Sequence, residues 1–139
     1  MSALKRVATR PTWLLSRANA RSQGLLTEAF GAEGVRGYHF RVLAALDQFG
    51  PASQADLGRR TGIDRSDVVA TLNELVARGL ARREPDMADR RRNVITLTKQ
   101  GADRLERLDA VLDGVQNTVL APLTPRERET LVRLLAKLT

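Results

Sequence analysis

The chain has 139 residues, of which 42% are hydrophobic and 28% are charged, and this length is enough for one domain with a modest core. Its formal net charge of +7 favours a polyanionic partner, most commonly nucleic acid, although a basic surface can also serve solubility alone. Cysteine is absent and His39 is the only histidine, which excludes disulfides and thiol chemistry and argues against a zinc site. Without a Gly-rich phosphate loop or a nucleophile elbow, we expect no enzyme and no bound cofactor or metal.

The sequence contains no apolar run that approaches the roughly 20 residues needed to cross a membrane. Residues 1–10 carry three basic side chains, but the apolar stretch of a secretion signal does not follow them. We therefore expect a cytoplasmic protein with no membrane partner.

Apolar residues recur at helical spacing along most of the chain. They predict helices over residues 13–30, 37–48, 54–60, 64–78 and 99–120, and a last helix after Thr124. Ser53 and Asp64 each stand at a helix start with an acid three residues later, which predicts two capping boxes, and Thr124 with Glu127 predicts a third. Gly79 suits the left-handed position after a helix end, and Thr98 is expected to cap the long fifth helix.

Two short segments, residues 80–84 and 93–98, are predicted to be strands, the second because it is rich in β-branched and apolar residues. The segment between them, residues 85–92, is charged and forms the tip of a hairpin, or wing. The expected fold is therefore mainly α with a small β-hairpin wing, which is an α+β arrangement in a single domain over residues 1–139.

The helix over residues 64–78 has two different faces. Its apolar residues form one stripe that predicts contact with a core: Val68, Leu72, Leu75 and Val76. The opposite face carries small side chains: Ser66, Ala70, Asn73 and Ala77. A helix with such a narrow outer face can lie deep in the major groove of DNA, and a charged wing further along the chain can reach the neighbouring minor groove.

Arginine is concentrated in and beside this unit, at Arg59, Arg60, Arg65, Arg78, Arg82, Arg83, Arg90, Arg91 and Arg92. Its planar guanidinium suits phosphates and base edges. The aromatic residues all lie outside the unit, whereas proteins that bind single strands or RNA use aromatic side chains as stacking platforms. The pattern therefore favours duplex DNA.

Three segments, residues 75–82, 86–91 and 97–101, resemble the MarR (multiple antibiotic resistance regulator) family. They match its Leu-x-x-x-Gly-Leu segment, its Asp-Arg-Arg wing and its Leu-Thr-x-x-Gly entry into the long helix. The resemblance covers about residues 13–138. It departs at Met87, where the family usually has proline, and at Ala70, where many members carry a basic residue.

The resemblance implies a winged helix-turn-helix transcriptional regulator that works as a homodimer on a near-palindromic operator. It is expected to be a repressor, and a small aromatic or anionic effector could release it from DNA. Residues 37–98 would bind DNA, and residues 10–36 and 99–139 would form flanking dimerisation helices. It also implies that Asp89 pairs with an arginine to brace the wing. The candidate DNA contacts are Ser53, Gln54, Arg65, Ser66, Asp67, Ala70, Asn73, Arg90, Arg91 and Arg92.

Several alternatives stay open. Asp67 either completes a cap with Asp64 or accepts a hydrogen bond from cytosine N4. The candidates for an effector pocket are Trp13, Arg17, Tyr38 and His39. The alternative is that Trp13 and Tyr38 are core or interface residues and that His39 is an ordinary surface residue. The main alternative function is sequence-tolerant DNA packaging, but the outer face of the fourth helix lacks the lysines that a packaging helix should carry.

Overall fold

The computed structural model describes residues 4–139, and within them the chain forms six α-helices and one antiparallel two-stranded sheet. The elements in chain order are α1 (Pro11–Ala32), α2 (Gly37–Phe49), α3 (Gln54–Thr61), α4 (Arg65–Ala77), β1 (Ala81–Pro85), β2 (Asn93–Leu97), α5 (Lys99–Val119) and α6 (Pro125–Ala136). The predicted mainly α fold with a hairpin wing is confirmed, and the predicted bounds differ by only a few residues. None of the described helices is long and apolar enough to cross a membrane.

The described chain divides into two compact units. Residues 30–110 form the winged unit, which contains α2, α3, α4, both strands and the start of α5. The other unit, here called the terminal unit, contains most of α1, the end of α5 and α6.

The core of the winged unit is built from the predicted apolar faces of its helices together with the second strand. Its fully buried side chains include Val42, Leu43, Leu57, Leu72, Leu75, Ile95 and Leu108. Each such side chain contributes about 1.5–3 kcal/mol through its removal from water. In α4, Val68 is buried as predicted, whereas Val76 is only half-buried.

The hairpin is fastened to the segment that leads into α3. Ala52 and Ile95 exchange two backbone hydrogen bonds, of 3.1 and 2.8 Å between nitrogen and oxygen, as an isolated antiparallel bridge. Because Ala52 lies two residues before α3, this bridge fixes the wing relative to the helix-turn-helix.

A close contact explains the glycine of the Leu-Thr-x-x-Gly motif. A Cβ atom built on Gly101 would lie 2.0 Å from the carbonyl oxygen of Leu80, so only glycine fits there. Thr98 caps α5 as predicted, because its Oγ1 accepts from the Gly101 N–H at 3.0 Å. The same hydroxyl donates to the Gly79 carbonyl at 2.7 Å, and Gly79 has the predicted positive φ, 73°.

The capping predictions are confirmed at two helices and wrong at a third. Ser53 caps α3 and Thr124 caps α6, each through a reciprocal box with an acid three residues later. Asp64 occupies the corresponding position before α4, but its side chain makes no capping hydrogen bond. The physical difference is charge, since a box between Asp64 and Asp67 would bring two carboxylates together, whereas the other boxes pair a hydroxyl with a carboxylate.

The terminal unit leaves many apolar side chains exposed. Large hydrophobic side chains of α1 and of the α6 region are between 38% and 69% exposed: Trp13, Leu14, Leu15, Val132, Leu134, Leu135 and Leu138. None of the residues of α6 is buried. Within the unit, Arg21 donates to the carbonyls of Val119 and Thr118, which ties α1 to the end of α5.

Candidate DNA-binding interface

The helix-turn-helix is formed by α3, a three-residue turn and α4. The α3 N-terminus is fixed by the Ser53 hydroxyl, which accepts from the Asp56 N–H at 3.2 Å, and by the Asp56 carboxylate, which accepts from the Ser53 N–H at 3.4 Å. Hydrogen bonding from Ser53 to the Asp56 carboxylate lowers the pKa of Asp56, so this carboxylate stays charged and pairs with Arg59. Gly62 ends α3 with a left-handed φ of 68°, which turns the chain into α4.

The two faces predicted for α4 are present in the structure. The outer face is exposed along its full length, at Ser66, Ala70, Asn73 and Ala77. Arg65 is also exposed at the first turn, and Asp67 is half-buried beside it. The outward side of this helix is therefore narrow, polar at both Ser66 and Asn73, and free of bulky side chains.

Asn73 does not stand alone on this face. The Arg83 guanidinium, from β1, donates through Nη2 to Asn73 Oδ1 at 2.9 Å. Arg83 is half-buried and alternates with Arg82, which is exposed on the other face of the strand and pairs with Glu84 at 2.7 Å. The contact between Arg83 and Asn73 leaves no signal in the sequence, because a spacing of ten residues matches neither helix nor strand periodicity.

The wing is a short closed loop. The Asp86 N–H donates to the Arg92 carbonyl at 2.9 Å, and the Arg92 N–H donates to the Asp89 carbonyl at 3.0 Å. Asp89 Oδ1 accepts from the backbone N–H of Arg91 at 3.1 Å and lies 3.3 Å from Arg91 Nε. The expected pairing of Asp89 with an arginine is thus present. Because Arg91 stays 92% exposed, the pair orients its guanidinium without burying it.

A cleft of about 610 Å³ opens between the wing and the helix-turn-helix. Its walls include four arginines, Arg59, Arg65, Arg91 and Arg92, together with Ser53 and Gln54 at the N-terminal end of α3. The helix N-terminus adds unpaired N–H groups and a positive dipole end to this charge. The cleft brings together five of the predicted contact residues, and it adds Arg59, which was not among them. Arg90 is exposed in the wing but does not line the cleft.

A buried histidine and an exposed ion pair form a cluster that joins α2 to α4. His39 is 1% exposed, so the alternative interpretation of this residue as an ordinary surface histidine is wrong. Its Nδ1 accepts from the Arg36 N–H at 2.9 Å, and its Nε2 lies 2.5 Å from Glu74 Oε2. The Glu74 carboxylate also accepts two bonds from Arg36 Nη2, at 2.8 and 2.9 Å. The sequence offered no signal for this cluster, because Glu74 and His39 are 35 positions apart.

The four effector candidates lie in pairs in different units. In the terminal unit, the Arg17 guanidinium lies 5.7 Å from the centre of the Trp13 ring, in a cation–π contact. In the winged unit, Tyr38 has a similar contact with Arg41 at 5.2 Å. Both ring nitrogens of His39 are occupied by Arg36 and Glu74, which leaves the imidazole without a free polar atom for a ligand.

Comparison with known proteins agrees with this geometry. The sequence profile of the MarR family matches residues 33–92. A probable transcriptional regulator of Pseudomonas aeruginosa is 34% identical, with a TM-score of 0.84 over 94% of this chain and 98% of that one. BpsR of Bordetella bronchiseptica, whose DNA binding is regulated by 6-hydroxynicotinic acid, is 30% identical, with a TM-score of 0.83 over 95% of this chain and 94% of that one.

A curated relative points the same way. The HTH-type transcriptional repressor NicR of Pseudomonas putida is 29% identical over 125 residues, which are 90% of this chain and 79% of the relative. The described chain has the winged helix-turn-helix architecture, the exposed α4 face and the arginine cleft that a duplex-binding protein needs. The chain belongs to the MarR family and is a DNA-binding transcriptional regulator.

Proposed function

We propose that the protein is a homodimeric repressor that binds a near-palindromic operator in double-stranded DNA and is released by a small aromatic anion. The observation that carries the proposal is the arginine-lined cleft beside the exposed face of α4. In this proposal α4 enters the major groove, Arg65 and the α3 N-terminus hold a phosphate, and the wing follows the backbone to the next minor groove.

The proposed contacts divide into two kinds. Phosphate contacts would come from Gln54, Arg65, Arg91 and Arg92, with Ser53 kept mainly as the cap of α3. Base contacts would come from Ser66, Ala70 and Asn73 on the α4 face, with Arg90 at the minor groove. Phosphate contacts set affinity and orientation, whereas base contacts set the sequence that is bound.

Dimerisation is proposed for the exposed apolar surface of the terminal unit. A monomer would leave Trp13, Leu134 and Leu138 in water, and burying such side chains against a second copy recovers hydrophobic free energy. We therefore assign residues 10–36 and 99–139 to dimerisation and residues 37–98 to DNA binding. Two copies related by a two-fold axis would recognise half-sites about 10 bp apart.

Repression and release are proposed from the relatives. NicR is a repressor, and the DNA binding of BpsR responds to 6-hydroxynicotinic acid. Trp13 and Arg17 of the terminal unit carry the aromatic and cationic groups that an aromatic carboxylate requires. We expect such carboxylates to weaken operator binding, and Arg17→Ala to reduce that response. Equal operator affinity with and without a panel of aromatic carboxylates would remove the effector from the proposal.

The mode of DNA binding is tested by Arg91→Ala. Removal of this phosphate contact should weaken binding to most duplexes and make the dependence of log affinity on log salt shallower by about 0.9. Lys5→Ala removes the same charge from the terminal unit and serves as the control, with an unchanged slope expected. Equal salt slopes for wild type, Arg91→Ala and Arg90→Ala would exclude the wing from the mechanism.

Nuclease footprinting distinguishes a sequence-specific regulator from a DNA-packaging protein. A regulator should protect one discrete site, whereas a packaging protein would give diffuse protection.

A further inference from the structure

The amide of Asn73 is held in one orientation by the strand behind it. Arg83 has only hydrogen-bond donors, so the atom of Asn73 that lies 2.9 Å from Arg83 Nη2 must be the carbonyl oxygen. The amide nitrogen therefore occupies the other branch of the planar group. Because Asn73 is exposed on the outer face of α4, that nitrogen carries the polar hydrogens which the helix offers to a partner.

Arg83 has the surroundings of a positioning residue. It is half-buried, its Nε is buried without a hydrogen-bond partner, and no carboxylate within residues 4–139 pairs with it. A guanidinium that only braced β1 on α4 would gain more from a carboxylate. Its guanidinium instead donates to the Asn73 oxygen, and the positive charge polarises the amide so that its N–H groups become stronger donors.

We propose that Arg83 determines the base preference of Asn73 by occupying its amide oxygen, so that the amide contacts DNA through its donors. A free asparagine binds adenine with both ends of its amide, accepting from N6 and donating to N7. The Asn73 oxygen keeps a second lone pair, but an adenine N6 donor would have to share that oxygen with the Arg83 guanidinium, whose Nη2 lies 2.9 Å away. The amide nitrogen is free to donate, and guanine offers two acceptors, N7 and O6, whereas thymine offers O4. Adenine would bring its N6 donor against the Asn73 donor. The inference rests on the proposed insertion of α4 into the major groove.

The test compares full-length variants on operator duplexes that carry each of the four base pairs at one position at a time. Asn73→Ala identifies the position, because the preference should disappear there and persist elsewhere. At that position the wild type should bind guanine about tenfold more tightly than adenine. Arg83→Met frees the amide to bind adenine with both ends, so the preference for guanine should be lost or reversed.

Arg82→Met is the matched control, since it removes the same charge from the next residue of β1, whose side chain faces away from Asn73. It should lower affinity evenly and leave the guanine-to-adenine ratio unchanged. Asn73→Asp is the second variant, which keeps a partner for Arg83 but offers only acceptors. It should shift the preference to cytosine, whose N4 group is a donor. If Arg83→Met fails to fold, the wild-type protein decides the matter, because tighter binding to adenine than to guanine at this position would contradict an amide oxygen occupied by Arg83.

Two results would overturn the inference. An unchanged ratio in a folded Arg83→Met, matching Arg82→Met, would show that Arg83 only braces the strand. An Asn73→Asp variant with the wild-type preference would exclude Asn73 from base recognition. Failure of the proposed function gives a different result, because the wild type itself would then bind all duplexes with equal affinity.

Discussion

At the scale of single residues, His39 connects the start of α2 to the middle of α4. Because its Nδ1 accepts from the Arg36 N–H, the neutral ring must carry its proton on Nε2, which donates to Glu74. A second proton would have to sit on Nδ1, facing the Arg36 N–H. The cluster therefore requires a neutral imidazole.

This requirement gives the fold a pH dependence. Burial lowers the pKa of His39, and the neighbouring positive charges of Arg78 and Arg36 lower it further, while the hydrogen bond and negative charge of Glu74 oppose part of the shift. The unfolded chain then binds a proton more readily, so stability is complete above about pH 6.5 and falls as the pH drops below that value towards the folded pKa. The pKa of Glu74 is also lowered, first by its bond from His39, which adds a loss below about pH 4.5.

We expect the melting temperature to fall between pH 6.5 and pH 5, and His39→Gln to reduce this slope while it lowers stability at neutral pH. The glutamine amide keeps a donor for Glu74 but cannot gain a proton. Melting curves across this range test the expectation, and His39 is the only histidine in the chain, which makes the assignment direct. A slope that is the same in wild type and His39→Gln would contradict the account.

The role of Asp67 at the start of α4 can also be tested. The predicted box with Asp64 is absent, so its carboxylate stabilises α4 only through its position near the positive helix end. Asp67→Ala should lower the free energy of unfolding by about 0.3 kcal/mol and strengthen DNA binding, because a negative charge near phosphate is removed. Asp56→Ala is the comparison, since it breaks a true capping box and should cost about 1 kcal/mol. Equal losses of unfolding free energy for Asp67→Ala and Asp56→Ala in urea would show that Asp67 does cap α4. A gain in affinity for off-target duplexes alone would favour recognition of cytosine by Asp67.

At the scale of elements, local sequence patterns predicted the helices, the strands and both faces of α4. Periodicity and caps act over a few residues, and the sequence displays them directly. The contacts of Arg83 with Asn73 and of His39 with Glu74 join different elements, so the spacing of these residues along the chain does not predict them. The prediction of a cap at Asp64 was wrong for a related reason, because cap formation there depends on repulsion between two side chains and not on residue type alone.

The entry of the chain into α5 provides a prediction at this scale. Gly101→Ala would place a methyl group 2.0 Å from the Leu80 carbonyl, and the resulting backbone shift should cost about 2–3 kcal/mol. Gly114→Ala in the same helix has open space within 4 Å and should stabilise the protein by about 0.5–1 kcal/mol through helix propensity. Chemical denaturation of both variants tests the pair. A tolerated Gly101→Ala would show that the contact is not tight.

At the scale of the whole molecule, composition predicted the partner, because a net charge of +7 favours a polyanion, and the structure places four arginines around one cleft. The terminal unit differs in that it exposes large apolar side chains, most of them leucines. The sequence indicated the amphipathic helices of that unit, but their apolar side chains stay exposed in the described chain, and a second copy is the partner proposed for them.

The proposed dimer predicts a specific response to a charge on α6. Sedimentation should show a dimer at micromolar concentration, and Leu135→Glu should dissociate it, because a carboxylate would be buried in the interface. Met87→Glu is the control, since Met87 is 92% exposed in the wing and should leave the dimer intact. A wild-type monomer at that concentration would contradict the assembly.

The central claim is that α4 and the wing recognise a defined duplex sequence, and selection of bound sites from a random duplex pool tests it most directly. The account predicts one enriched motif with a dyad and half-sites about 10 bp apart, in which Asn73→Ala relaxes one position of each half-site. Bound sequences with no shared motif, or a motif without a dyad that survives substitution of every residue on the α4 face, would contradict it.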